Sequence, residues 1–498
     1  MSPPSKRSTH QSRTRVCLAL ATTIAGVLIA TVVLALAIIW RSRSQRLQME
    51  FIRSGGLDID PAVLTRPYIR KDTQLIVAAD GKQWKFRRKQ STGGSDDLLD
   101  CTDLDRLAEQ AEFSASGWSK AVYKVKQQQS PQTQQSPDQQ QQQQNLPTQQ
   151  RTLAVKVINL QAVHMRDCLQ QQRLDVCYAQ AAMKLLKELA LLHEMAHPNI
   201  VQLRGYCIPR HPLDLPQNDD DNAGNGGAVW QLAVITDWAT PLNLIDLLQL
   251  DWETRLKLLN DVGSLLAYLT QSPFGSAGLT DFRRQQFVRH ADDDRLQLVD
   301  LDDVALVQPA CASRSDCARE LPLLQCVANQ CVDHNQRSNV RAAYRAFFAD
   351  LLMPGVPDEL WADAVALLED MKRARLSADE VRRFVGQLAA RYASYVAVSE
   401  DDLRRADRAV YDVLHNMTIP SAVGAYPCHS SRSQVECELS VSSVSEARAL
   451  CAGSHQCGAI VVENGRRSWT GRLVVQLKKE TSMLEPADGS VVYRLRRL

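Results

Sequence analysis

Residues 151–160 read RTLAVKVINL and residues 197–207 read HPNIVQLRGYC, with a helix-period stretch over 178–195 between them. In the first segment Lys156 alternates with apolar neighbours, the period-2 pattern of a strand with one buried face. Upstream stands ASGWSKAVYKV at 115–125, and downstream stands WQLAVITDWA at 230–239. Both have the same strand-like character. Residues 127–150 are almost wholly Gln, Ser, Pro and Thr, and 216–227 are rich in Asn, Asp and Gly. Neither stretch can bury a core, so both read as loops inserted between strands, the first of them disordered. The resulting order is strand, turn, strand, loop, strand, helix, two strands.

That order resembles the small lobe of a protein kinase. LAVK, at 153–156, is similar to the V-A-I-K strand and marks Lys156 as the lysine that would hold the α- and β-phosphates of ATP. Glu188 precedes HPNIV at the distance where kinases carry the helix-C glutamate that pairs with this lysine. Thr236 and the following Asp237, Trp238 and Ala239 take the gatekeeper and hinge positions. Ala115, Gly117, Val122 and Ala154 complete the expected nucleotide-binding set. Taken singly, Lys156 and Glu188 read better as an exposed strand lysine and a solvated helix charge. Their order, in register with HPNIV, carries the kinase reading.

Further along, 242–248 and 252–269 read as apolar-faced helices. Leu279-Thr280-Asp281 stands where a kinase has H-R-D, making Asp281 the candidate base for the substrate hydroxyl. The metal-binding asparagine expected five residues later is Gln286, whose amide oxygen can still reach a divalent cation. Asp300 follows the apolar strand RLQLVD and heads DLDD in place of D-F-G, which makes it the candidate metal-holding aspartate. Asp302 and Asp303 are adjacent competitors.

GSAGLTDFRRQQFV (275–288), LVDLDDVAL (298–306) and DHNQRSNVRAAYRAFFADLL (333–352) resemble the vertebrate lonesome kinase family of divergent secretory-pathway tyrosine kinases. MTIP, the paired tail cysteines and RSWTGR (467–472) extend the likeness to the end of the chain. The resemblance implies a bilobal protein-kinase fold of α+β class, ATP with Mg or Mn, and phosphorylation of tyrosine on secreted or lumenal proteins. Departures from the general kinase pattern are plain. Only Gly117 remains of three loop glycines, with Ala115 and Lys120 at the other two places. The His and Arg before Asp281 are missing, no A-P-E follows, and the segment after Asp300 runs quickly into Cys311. Ordering of that segment by disulfides is the natural substitute. Arg283, two residues after Asp281, leans toward tyrosine as the acceptor.

The rest of the chain gives the setting. The 498 residues carry a net charge of +2, which gives no footprint for nucleic acid. Residues 16–40 form an uncharged run long enough to cross a bilayer. Basic residues on its two sides nearly balance, so charge does not orient it. Cysteines do. Of thirteen, Cys17 lies in the apolar run; the remaining twelve form an even set, eight of them in the close pairs 311/317, 326/331, 428/437 and 451/457. No C-x₂-C pair occurs, so disulfides outrank zinc, and Asn416-Met417-Thr418 is a glycosylation sequon. For isolated Cys207, free thiol and disulfide are evenly matched.

The expected organisation is a cytoplasmic tail (1–15), a transmembrane signal-anchor (16–40), a stem (41–95) with a hairpin turning at Asp80-Gly81, a kinase-like domain (96–395), and a disulfide-rich module (396–498). In the last, 399–414 reads as a charged amphipathic helix, the four cysteines are expected to pair among themselves, and Trp469 as core or recognition edge. The implied place is the Golgi or secretory-pathway membrane, with release after cleavage open. Two classes of function follow: a lumenal tyrosine kinase using Lys156, Glu188, Asp281 and Asp300, and a pseudokinase scaffold.

Overall fold

Alternation within one strand organises the N-terminal half. In a computed structural model, the described residues are strands at 57–58, 75–79 and 82–86, then 98–496 except 129–149, 210, 216–230, 291–292, 320, 422 and 480–482. The apolar run 16–40, the acidic loop and nearly all of the glutamine insert lie outside them. No helix among the described residues is long and apolar enough to cross a membrane. Of the stem, strands β1 (Leu57–Asp58), β2 (Leu75–Ala79) and β3 (Lys82–Phe86) pair antiparallel, with Ala79 opposite Lys82 across the expected turn.

Helix α1 (Cys101–Ala108) starts at a capping box in which Asp100 accepts from Thr102 and Asp103. Strands β4 (Glu112–Ser116), β5 (Lys120–Gln128), β6 (Gln150–Ile158), β7 (Leu203–Cys207) and β8 (Ala233–Asp237) form one sheet in the order β4-β5-β6-β8-β7. Leu153 and Val155 bury with Val125, Ala233 and Ile235 in a small core under α1, and the Cys101–Cys207 disulfide staples α1 to β7. Cys207 is thus cross-linked. Gly205 is obligatory here, because a Cβ would lie 2.4 Å from the carbonyl oxygen of Leu99, which bridges to it. After the short α2 (Val163–Leu169), α3 (Leu174–Glu194) is buried along most of its length, Glu188 completely.

The main core joins α3 to a largely helical second half. It contains β9 (Thr240–Pro241), α4 (Leu244–Leu248) and α5 (Trp252–Thr270), whose Asp251 cap accepts from the Thr254 N–H at 3.0 Å. Next come β10 (Gly278–Leu279), β11 (Phe287–Arg289), β12 (Leu296–Leu298), β13 (Val304–Ala305) and α6 (Arg314–Ala318). The small hairpin β14 (Cys326–Val327) and β15 (Gln330–Cys331) precedes helices α7 (His334–Ala343), α8 (Trp361–Lys372) and α9 (Ala378–Ser394). Interleaved disulfides Cys311–Cys326 and Cys317–Cys331 knit the segment after Asp300.

Residues 399–414 divide, against the sequence expectation. Helix α10 (Glu400–Arg408) stops, and β16 (Tyr411–Thr418) pairs with the terminal strand β20 (Glu485–Leu495). Tyr411 and Val413 have β-favouring side chains, and the partner that draws them into a sheet lies some eighty residues away in sequence. With β17 (Cys437–Val441), β18 (Ala459–Val462) and β19 (Leu473–Lys478), the sheet order is β16-β20-β18-β19-β17, packed by α11 (Val444–Gly453). Cys428–Cys437 and Cys451–Cys457 close within this unit, as expected. It docks on α5. Trp469 packs against the main core and donates its indole N–H to the Glu253 carbonyl at 3.0 Å. The Glu253 carboxylate is fully buried and meets Thr470 and Arg432, the latter at 3.3 Å. Trp469 is therefore an interface residue between the two units.

Candidate active site

Sheet register gathers the expected nucleotide-facing residues. Ala115 stands opposite Val122, Val122 opposite Lys156, and Ala154 opposite Thr236. Directly paired residues and those two apart share a face, so Ala115, Val122, Ala154, Lys156 and Thr236 line one side of the sheet. Gly117 donates its N–H to the Lys120 carbonyl at 2.8 Å and closes the β4–β5 turn. Asp237 turns its side chain to Arg204 and Arg151, at 2.7 and 3.1 Å. Its N–H donates to the Gln202 carbonyl at 3.3 Å. Ala239 follows at the partly buried chain exit from β8.

Lys156 forms an ion pair with Glu188 and also donates to the Val299 carbonyl, next to Asp300. A second lysine enters the same place. Lys120 Nζ lies 2.6 Å from Glu188, 2.7 Å from Asp300 and 3.1 Å from Asp302. Burial alone would lower the Lys120 pKa, but these three carboxylates hold it well above the ordinary lysine value. Burial would likewise raise Asp300, yet Lys120 and Lys156 keep it well below the carboxylate range. Asp302 behaves oppositely. Burial, then Asp300, Glu188 and Asp303, push it up to about 7 against the pull of Lys120.

The catalytic-loop candidates sit on the other side. Asp281 accepts from Arg283 and, at 2.7 Å, from the Gln286 amide nitrogen. That bond engages the Gln286 amide nitrogen, so its amide oxygen would be the end to meet a cation. Phe287 pairs with Leu298, and the Val299 N–H donates to the Gln286 carbonyl at 2.9 Å, so backbone pairing brings Gln286 beside Asp300. Pairing of β10 with β13 sets Asp281 against the segment after Asp300, where Asp303 takes Lys184 of α3 at 2.9 Å.

The donors suit a nucleotide with a hard divalent cation: carboxylate oxygens of Asp300, Asp302 and Glu188 within 4.8 Å of one another, and two ammonium groups for phosphate. Held there, the metal would neutralise charge on the transferred phosphoryl group; Lys156 would orient the phosphates and Asp281 would accept the acceptor's proton. One member of the cluster, Lys120, escaped the sequence reading, and Asp302 entered it only as a competitor of Asp300. Lys120 was counted as a missing glycine. Its position two residues before Val122, in a strand of strict alternation, was the available signal.

A sheet in this order, a buried helix that supplies a glutamate to a strand lysine, and two aspartates on adjoining loops define a protein-kinase fold. No known protein-family profile matches the chain. Its sequence is, however, 31% identical over 401 residues to the human extracellular tyrosine-protein kinase PKDCC, covering 79% of this chain and 73% of that protein. The chain belongs to the PKDCC family of extracellular tyrosine-protein kinases.

Proposed function

We propose that this protein is an extracellular protein-tyrosine kinase that transfers the γ-phosphate of ATP, with Mg or Mn, to tyrosines of secreted and secretory-pathway proteins. The observation that carries the reading is the buried Lys156–Glu188 pair beside Asp300. Lysine orients the phosphates, Asp300 and Gln286 hold metal, and Asp281 takes the hydroxyl proton. In the same reading, residues 96–395 are the kinase domain and 396–498 its disulfide-rich companion. Residues 16–40 anchor the chain in a Golgi or secretory-pathway membrane with the kinase in the lumen.

The test is anti-phosphotyrosine signal on co-secreted proteins beside nucleotide binding by thermal shift. Lys156→Met and Asp300→Ala should each abolish the signal while secretion persists. Asp281→Asn should lower turnover with little change in nucleotide affinity, since its contact is with the acceptor. One observation favours a pseudokinase scaffold instead: Lys120 sits on the carboxylates that a metal would need. Wild type that binds no nucleotide and phosphorylates nothing with magnesium or manganese would establish that alternative.

A further inference from the structure

Lys120 has the geometry of a working residue. Its Nζ touches three carboxylates, from α3 and from the two loop positions 300 and 302, and its side chain is only 8% exposed. Glu188 divides its oxygens, one to Lys156 and one to Lys120. Because Val122 is opposite Lys156, Lys120 is the diagonal neighbour of Lys156 on the same face of the sheet. Its backbone is fixed by the turn bond from Gly117, so movement is confined to a flexible four-carbon stem.

Charge decides where that stem goes. Lys120 and Lys156 face Glu188, Asp300 and Asp302, two ammonium groups against three carboxyl groups. A divalent ion on these carboxylates leaves the cluster with an excess of positive charge and repels the nearer ammonium. The phosphates that arrive with the ion supply the anionic partner it then lacks.

We propose that Lys120 is a second phosphate-contacting lysine, a catalytic residue that rests on Asp300 and Asp302 while the site is empty and exchanges onto the nucleotide phosphates when metal enters. This rests on the kinase reading and adds a residue to it. It also gives the crowded carboxylate cluster a role in the cycle, where the scaffold reading treats it as a permanent plug.

The experiment uses the full chain purified from a secretory host. An acyl-phosphate derivative of ATP acylates lysines that lie against the bound phosphates, and peptide mapping reads which ones. Label on both Lys120 and Lys156 is the expected result, with Lys120 label suppressed by excess ATP. Label on Lys156 alone overturns this inference and leaves the kinase reading standing; label on neither, with no nucleotide binding, overturns both. Independently, Lys120→Met should bind Mn²⁺ in the absence of nucleotide about tenfold more tightly, since a competing cation has gone. The same variant should lose about 100-fold in kcat, the usual scale for a lost charge-stabilising donor. Unchanged Mn²⁺ affinity, or kcat within a few-fold of wild type, refutes the exchange.

Discussion

Replacing Trp469 tests whether the C-terminal unit is held on the kinase-like core by one anchor. The indole packs against the main core and its N–H bonds the Glu253 carbonyl at the start of α5. A tryptophan buries about 150–250 Å². With about two thirds of a mid-range ring covered, truncation to alanine returns roughly 130 Å² to water, about 3 kcal/mol at ~25 cal/mol/Å². The lost hydrogen bond adds about 1 kcal/mol. Trp469→Ala should therefore destabilise by about 3–4 kcal/mol. Trp469→Phe keeps most of the packing and should cost about 1 kcal/mol. Urea melts give the free energies, and limited proteolysis of the coil at 395–399 reports undocking, which should accelerate for the alanine variant. If Trp469→Ala melts within about 1 kcal/mol of wild type and the coil is cut no faster, the anchor argument is wrong, and the buried Glu253–Arg432–Thr470 contacts hold the interface unaided.

Three further expectations concern single positions. Gly205→Ala drives a methyl group to 2.4 Å from the Leu99 carbonyl oxygen. It should lower stability by about 1–3 kcal/mol, and an unchanged urea midpoint would show the approach is not tight. His197 stacks on Tyr268 with centroids 4.6 Å apart, and its Nδ1 accepts the Asn199 N–H at 3.1 Å. Burial lowers its pKa below 6.5. The folded state therefore disfavours the imidazolium: the contribution is fully present above the unfolded pKa and is lost as pH falls below about 6.5. Melting of wild type between pH 7 and pH 5 should drop more than that of His197→Phe; parallel slopes would contradict this. Asn416 is exposed on β16 and accepts the Gly489 N–H through Oδ1 at 3.1 Å. An endoglycosidase mobility shift is expected for protein from secretory cells and should vanish in Asn416→Gln; persistence in the variant would reject the assignment.

What could be read in advance was local. LAVK, HPNIV and the LTD and DLDD sequences lie each within a few residues, so their types and spacing exposed Lys156, Glu188, Asp281 and Asp300 before any coordinates. The succession of strands and helix along the N-terminal half followed from the same run. What stayed hidden depends on partners far away in sequence. Cys207 gave no sign of Cys101, and the strand at 411–418 gave no sign of residues 485–495. Read alone, that segment continued the charged helix before it. Trp469 was ambiguous for the same reason, since its place depends on Glu253 in the other unit. Lys120 was missed differently. A motif template counted it as an absence, although simple alternation would have turned its side chain into the cleft.

The knitted segment after Asp300 bears on when such a protein becomes competent. Two crossing bridges close loops spanning 15 and 14 residues, each worth about 3 kcal/mol against the unfolded chain. A region fixed in this way is set once, by oxidants met during synthesis, and is not reset by addition and removal of phosphate. Material made in a reducing cytosol would lack this brace, and a reductant applied outside the cell would remove it until the thiols are oxidised again. Control over the finished molecule then falls to its surroundings: how much nucleotide and metal reach the compartment, and which proteins share it.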